Sequence, residues 1–357
     1  MTRINNGKRN WLKIISISLV VFVLLFSIVA MVVAKNFYDG KFSRVEETRC
    51  SGFLCYSDVT SYQRTAVKFA SGENTLQGYL YGTQNEKGLV VISHGLGFDA
   101  QHYLPEVLYF VDHGWQVFSF DNTGTNESEG AGTIGLPQSE KDLDAALTFI
   151  EGDQTLNKLP VMLFGHSWGG YAVTAILNTN HNISASVSIS GFNSPDELLL
   201  EGATSEIGIF GYIEYPYLWA YQRILFGKTA QLTAVDGINS TDTPVMIIHG
   251  SADEDILYNG ASIISHRSAI TNPDVMYKTC SAENHNGHNN LLQSEAAIQY
   301  INEKNKEYRA LNDRYDGNIP DDVKANFYAG IDKFQTSELD VGLMNEINDF
   351  YLKALNQ

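Results

Sequence analysis

Ser167 stands between Gly165 and Gly169 in the stretch GHSWG, directly after the apolar run PVMLF and before a run with helical spacing, WGGYAVTAILNT. A strand-to-helix turn this sharp exposes a hydroxyl, and the two glycines leave room where side chains would collide with the neighbouring strand and helix. A helix starting near Trp168 aims its N-terminal dipole at the same point and favours negative charge developing there. Residue types and context mark Ser167 as a candidate nucleophile for acyl transfer.

A serine hydroxyl attacks only when a base takes its proton and a carboxylate orients that base. In a doubly wound sheet both partners come from loops at the carboxyl ends of later strands. The segment PVMIIHGSADEDI offers Asp253, with Glu254 and Asp255 as near alternatives, and CSAENHNGHNNLL offers His285 and His288. His288 follows Gly287 and precedes the last core helix, where a flexible turn can project an imidazole back to the serine. His285 is the second choice, suited to lining the pocket or bonding within its loop. Asp253 lies nearer the strand end than Asp255, which is the second choice for the acid. The order Ser, acid, His along the chain suits such a sheet. The oxyanion needs backbone N–H donors; Trp168, directly after the nucleophile, is one candidate, and Leu96 in SHGLGFD is the other. His94 reads as a support for that loop rather than a second base.

The elements that must carry these residues alternate between strand and helix. TAVKFA and LQGYLYG form a hairpin through SGEN, and GLVVISHG is an unbroken apolar run suited to a strand buried on both faces. HYLPEVLYFVDHG is helical and closes on Gly114. WQVFSFDN is a strand, and SEKDLDAALTFIEG is an amphipathic helix with Ser139 as its cap. PVMLFG, SASVSISG, PVMIIHG and DVMYKTC supply further strands, and LLQSEAAIQYINEKN a further helix. This alternation predicts an α/β chain with a mainly parallel, doubly wound sheet. Residues 192–240 are rich in large apolar side chains but carry no buried-strand signature, and read as a helical cap over a cleft. Residues 306–357 read as a C-terminal helical extension.

The N-terminus has a different character. Ile14 to Ala34 runs without a charge, long enough as a helix to cross the roughly 30 Å hydrocarbon core of a bilayer. Arg3, Lys8, Arg9 and Lys13 precede it and outweigh Lys35 and Lys41, which predicts a cytoplasmic N-terminus and an extracytoplasmic body on a single span. The apolar run exceeds the roughly 7–15 residues of a cleaved signal peptide, although VVA before Lys35 offers a cleavage site. Because residues 1–34 hold four basic and no acidic side chains, the whole-chain formal charge of −17 leaves the remainder at −17 − 4 = −21, which argues against a phosphate backbone as partner. Cys50 and Cys55 are spaced to close a small loop in an oxidising compartment, while Cys280 stands apart. No Cys/His spacing suits zinc, and neither metal nor organic cofactor is implied. Sequons begin at Asn126, Asn182 and Asn239. The sequence carries no signal of oligomeric state.

The segments SHGLG, DNTGTNESEG, GHSWGG, HGSADEDI and NGHNNLL, in that order and spacing, resemble the α/β-hydrolase superfamily, within it the serine aminopeptidase-like and monoacylglycerol-lipase-like branch. The resemblance spans about residues 62–305. It implies a Ser167–Asp253–His288 triad, oxyanion donors at Leu96 and Trp168, and a cap between the sixth and seventh strands. DNTGTNESEG departs from the family's Asp-x-x-Gly-x-Gly-x-Ser at Thr125 and Asn126, which puts that loop's shape in doubt. Dehalogenase relatives carry Asp at the nucleophile position, and Ser167 argues against their chemistry.

The expected organisation is therefore a cytoplasmic N-terminus (1–13), a transmembrane helix (14–34), a connector (35–61), an α/β-hydrolase domain (62–305) and the extension (306–357). The expected activity is hydrolysis of an acyl ester, with a lipid-like small molecule as substrate and the membrane as partner. One alternative is a serine exopeptidase, which needs cap carboxylates for the substrate ammonium; Glu197, Glu201, Glu206 and Glu214 are available. Another is a surface binding protein on a hydrolase scaffold without turnover.

Overall fold

A computed structural model describes residues 5–45 and 52–356. Helix α1 (Asn5–Lys41) runs through the charge-free stretch and continues beyond it. Strands β1 (Arg64–Ser71) and β2 (Asn74–Tyr81) form the expected hairpin, turning at Gly72, whose φ of +59° an L side chain rarely adopts. There follow β3 (Leu89–Ser93), α2 (Leu104–Asp112), β4 (Gln116–Phe120), α3 (Gln138–Gly152), β5 (Val161–His166), α4 (Trp168–Ala175) and β6 (Ile183–Ile189). Next come α5 (Pro195–Ile207), α6 (Gly211–Phe226), α7 (Ala234–Asn239), β7 (Val245–Gly250) and β8 (Val275–Cys280). The chain ends in α8 (Glu295–Arg314), α9 (Asp321–Ala329), α10 (Lys333–Thr336) and α11 (Val341–Ala354).

The eight strands form one sheet in the order β1-β2-β4-β3-β5-β6-β7-β8. Every pairing from β4 onward is parallel, while β2 pairs antiparallel with both β1 and β4. Alternate residues of the central strands serve opposite cores, as the two-residue period of a strand requires. Val90, Ile92, Met162, Phe164, Met246 and Ile248 face one side, with Val107 and Phe110 of α2 and Ile347 and Tyr351 of α11. Leu89, Val91, Leu163, Val245 and Ile247 face the other, with α3, α4 and α7.

Three sequence expectations need correction. The cap of α3 is Pro137; Ser139 lies inside the helix and its hydroxyl donates to the Leu136 and Trp168 carbonyls. The expected boundary at residue 305 cuts through α8, and the stretch after it is no appendage. α11 is a structural helix of the sheet: Met344, Ile347 and Tyr351 are buried, and the Tyr351 hydroxyl donates to the Leu163 carbonyl at 2.7 Å. Within residues 192–240, only α5 and α6 stand off the body; Ala234 and Ile238 of α7 belong to the core beneath α4. The expected Cys50–Cys55 loop involves Cys50, which lies outside the described residues.

The segment after α1 is tied to the body. Ser43 and Val45 bridge to Gly132 and Thr125, and the Arg44 guanidinium donates to the Ser128 and Gly130 carbonyls. The departures at Thr125 and Asn126 therefore sit in an ordered loop: Asn126 takes a φ of +43° and its side chain donates to Asp121. A sequon there is buried.

Candidate active site

Ser167 lies between β5 and α4 with φ +55° and ψ −112°, a backbone strained by about 1–3 kcal/mol for a residue with a side chain. The neighbouring glycines make the turn possible. A Cβ on Gly169 would sit 1.9 Å from the Ser93 carbonyl oxygen, and one on Gly165 2.2 Å from that of Gly169. The Ser167 N–H donates to the Ile189 carbonyl at 2.8 Å, pinning the turn to β6.

His288 reaches this turn from the loop before α8. Its Nε2 lies 2.8 Å from Ser167 Oγ, and its Nδ1 lies 2.8 Å and 3.0 Å from the two Asp253 carboxylate oxygens. Asp253 follows β7 and is buried. Burial alone would raise its pKa, but hydrogen bonds from His249 and His288 and the Ile256 N–H outweigh it and hold the carboxyl well below the usual range. One carboxylate oxygen accepts the Asp255 and Ile256 N–H groups at 3.0 Å and 2.8 Å, which fixes its orientation. The second-choice residues stand elsewhere. Asp255 donates its backbone N–H to Asp253 and borders the cavity, and His285 borders a separate surface groove with Cys280 and Glu346.

A cavity of about 440 Å³ opens at the serine, lined by Leu96, Ser167, Trp168, Phe192, Leu198 and His288 among others. Both expected oxyanion donors thus border the space where a substrate carbonyl would lie. The other walls are mainly apolar, from Leu136, Phe192 and Ile256 of the body and Leu198 of α5, with Asp255 and Asn289 as the polar residues on the lining.

Sequence reasoning missed the groups that hold these loops in place. Gly95, beside Leu96, donates its N–H to the Tyr103 hydroxyl at 3.0 Å. That hydroxyl lies 2.7 Å from His166 Nδ1, and His166 Nε2 lies 3.0 Å from the His288 carbonyl. Since a carbonyl only accepts, Nε2 carries the proton and Nδ1 accepts from Tyr103. Burial is the leading cause that lowers the His166 pKa to about 3, so the ring is neutral and this tautomer persists. The relay joins the Leu96 loop to the His288 backbone. His249, at the end of β7, places Nε2 3.1 Å from Asp253 and 2.9 Å from the Ile256 carbonyl. Only its position at a strand end hinted at this. His94 ties its own loop to the one after β4: its Nδ1 donates to the Gly95 carbonyl at 2.8 Å, its Nε2 accepts the Asn122 N–H at 3.0 Å, and burial lowers its pKa to about 4.

The cap glutamates are engaged away from the cavity. Glu197 pairs with His266, Glu201 accepts the Leu257 and Ala261 N–H groups, and Glu206 pairs with Lys41. Glu214 does not line the cavity either.

Comparison with known proteins gives a consistent set of likenesses. The family profile described as "Serine aminopeptidase, S33" matches residues 84–206. The (E)-2-((N-methylformamido)methylene)succinate hydrolase of Acinetobacter baylyi is 32% identical over 103 residues, which are 29% of this chain and 37% of that relative's length. The uncharacterized protein YqkD of Bacillus subtilis is 21% identical over 210 residues, covering 57% of this chain and 68% of its own. Among solved structures, the Pyrococcus furiosus esterase Pf2001 superposes with a TM-score of 0.53 at 19% identity, covering 74% of this chain and 96% of the esterase.

Proposed function

We propose that the chain, which has an α/β-hydrolase-like fold and matches the "Serine aminopeptidase, S33" profile over residues 84–206, is a membrane-anchored serine hydrolase cleaving acyl esters through Ser167, His288 and Asp253. The observation that carries this reading is the unbroken run of contacts from Ser167 Oγ through the His288 ring to Asp253, beside an apolar cavity.

In this reading His288 Nε2 takes the Ser167 proton as Oγ attacks the ester carbonyl, and Asp253 stabilises the imidazolium that forms. The N–H groups of Leu96 and Trp168 receive the developing oxyanion, where loss of one donor costs about 3–4 kcal/mol. His288 then gives its proton to the alcohol leaving group, and an acyl-enzyme remains on Ser167. A water, deprotonated by the same ring, releases the acid. The loop glycines and the neutral His166 relay keep donors and base in register while charge moves.

Anchoring rests on α1, whose apolar side chains from Trp11 to Val33 are largely exposed in the isolated chain. Residues 10–41 are long and apolar enough to cross a bilayer. With the basic flank inside, the hydrolase body lies on the extracytoplasmic side. The ester reading is preferred to the exopeptidase because Glu197, Glu201 and Glu206 have partners elsewhere and none of the four cap glutamates borders the serine cavity. A substrate ammonium there would meet no cap carboxylate, and Asp255 of the loop after β7 is the one acidic residue on the lining.

The full chain in nanodiscs should react with a fluorophosphonate probe, and both Ser167→Ala and His288→Ala should abolish labelling. Acyl esters should then turn over at least tenfold faster than aminoacyl amides. Folded protein that stays unlabelled would overturn the hydrolase reading in favour of a binding scaffold, and faster amide cleavage would favour the exopeptidase.

A further inference from the structure

Helix α6 has two contrasting faces. Gly211, Leu218, Gln222 and Phe226 are buried, whereas Ile213, Pro216 and Ile224 lie along an exposed stripe at helical spacing. Ile209 and Phe210, in the turn before the helix, are also exposed, at 76% and 66%. A charged outer face is the usual state of a surface helix, so a row of large apolar side chains requires a cover.

The neighbouring helix indicates what covers it. Tyr217, on the strip of α6 next to the exposed stripe, bonds Ser27 of α1 at 3.1 Å, and its ring stands 6.4 Å from that of Phe26. Ala30 and Ala34 of α1 are buried, and Tyr38 donates to Gln222. Ser27 lies seven residues inside the charge-free run that ends at Ala34, a depth of about 10 Å at the helical rise. A helix in contact with α1 at that level shares its surroundings. Trp219 and Tyr212, exposed on the same helix, are the residue types that settle at a membrane–water boundary, and Arg223 stacks on Trp219 while pairing with Asp196.

We propose that the outer leaflet of the bilayer covers the Ile213–Pro216–Ile224 stripe, so that the cap is partly sunk in lipid and the substrate is an ester resident in that leaflet. The inference rests on the anchoring and ester readings above and adds the surface through which they meet. Its structural link to the site is the α5–α6 pair: Leu198 of α5 lines the cavity at Ser167, while α6 presents the lipid-facing stripe.

The test uses the full chain in nanodiscs containing radiolabelled phosphatidylcholine, with the photo-crosslinker p-benzoylphenylalanine replacing one residue at a time. Positions Ile213 and Ile224 report the stripe, Leu24 reports the anchor, and Val341, exposed on the body, reports water. Lipid adducts at Ile213 and Ile224 within about threefold of Leu24, and at least tenfold above Val341, are expected. Adducts at the Val341 level with a strong Leu24 signal would overturn the sunken cap and leave the anchor standing. Weak adducts at Leu24 as well would overturn the anchor and the inference together. A chain-to-chain adduct of doubled mass would assign the stripe to a second copy and overturn the lipid cover. In parallel, Ile213→Asp with Ile224→Asp should lower turnover of a vesicle-borne long-chain ester at least tenfold. Hydrolysis of a soluble short-chain ester should stay within twofold. An equal change on both substrates, or on neither, would overturn delivery from the leaflet.

Discussion

Tyr103→Phe removes one oxygen and breaks the link between the oxyanion loop and the loop carrying His288. In the native chain that hydroxyl accepts the Gly95 N–H at 3.0 Å and donates to His166 Nδ1 at 2.7 Å. Both partners are buried, and each unsatisfied buried polar group costs about 1–3 kcal/mol. The cavity of about 260 Å³ lined by Tyr103 and His166 can admit a water to one of them, which places the total at the low end, about 2–3 kcal/mol. For a domain of this size that is a fall in Tm of about 4–12 °C. Activity should suffer separately, because the Leu96 amide and the His288 ring lose their common brace. A displacement of about 1 Å costs up to a hundredfold in rate, so kcat and the rate of fluorophosphonate labelling should fall about 10–100-fold with KM nearly unchanged. Thermal unfolding followed by circular dichroism and titration with the probe measure the two effects. An unchanged Tm together with unchanged labelling would refute the claim that this relay organises the site.

Three further outcomes follow from the geometry. Gly169→Ala forces a Cβ to within 1.9 Å of the Ser93 carbonyl oxygen, so the variant should lose labelling and most soluble expression, whereas Gly202→Ala, with open space around it, should keep both. Burial pushes the Glu106 carboxyl up to about 7; between its unfolded value near 4.5 and 7 the folded chain keeps a proton that the unfolded chain releases, so stability falls as pH rises through that window. Glu106→Gln should therefore flatten the loss between pH 5 and pH 8 by about 2–3 kcal/mol in urea unfolding, and an identical pH profile would count against a buried protonated carboxyl. Ile347→Ala should cost about 2–5 kcal/mol because the side chain is buried against the sheet, whereas exposed Phe334→Ala should stay within about 0.5 kcal/mol; equal small effects would return residues 341–354 to the status of an appendage.

Much of the site was legible because its signals are local. The crowding that requires Gly165 and Gly169 is set within a few residues of Ser167, and a strand followed by a helix is visible as a change of hydrophobic period. The charge-free run of α1 and the alternation of strands with helices are likewise readable over windows of ten to twenty residues. The preference for His288 over His285 and Asp253 over Asp255 rests on position within a loop; in the folded chain His288 lies 2.8 Å from both Ser167 and Asp253, a contact no local window contains. Ser139 looked like a helix cap because its residue type favours that position, but its hydroxyl instead meets the Trp168 carbonyl, a partner 29 residues away that no local window contains.

By itself the sequence determined the order of elements, the exposed serine turn and the apolar N-terminal helix, because sterics at a tight turn and periodicity along a helix act between near neighbours. Only the tertiary structure decided that Tyr103 and His166 couple two loops, that His249 braces Asp253, and that α11 completes the sheet's cover. It alone set α6 against α1 as well, through Tyr217 and Ser27 at a separation of 190 residues. Contacts of that range leave no imprint on local composition; they arise when burial of whole faces brings distant segments together, and hydrogen bonds then select the register in which no buried polar group is stranded.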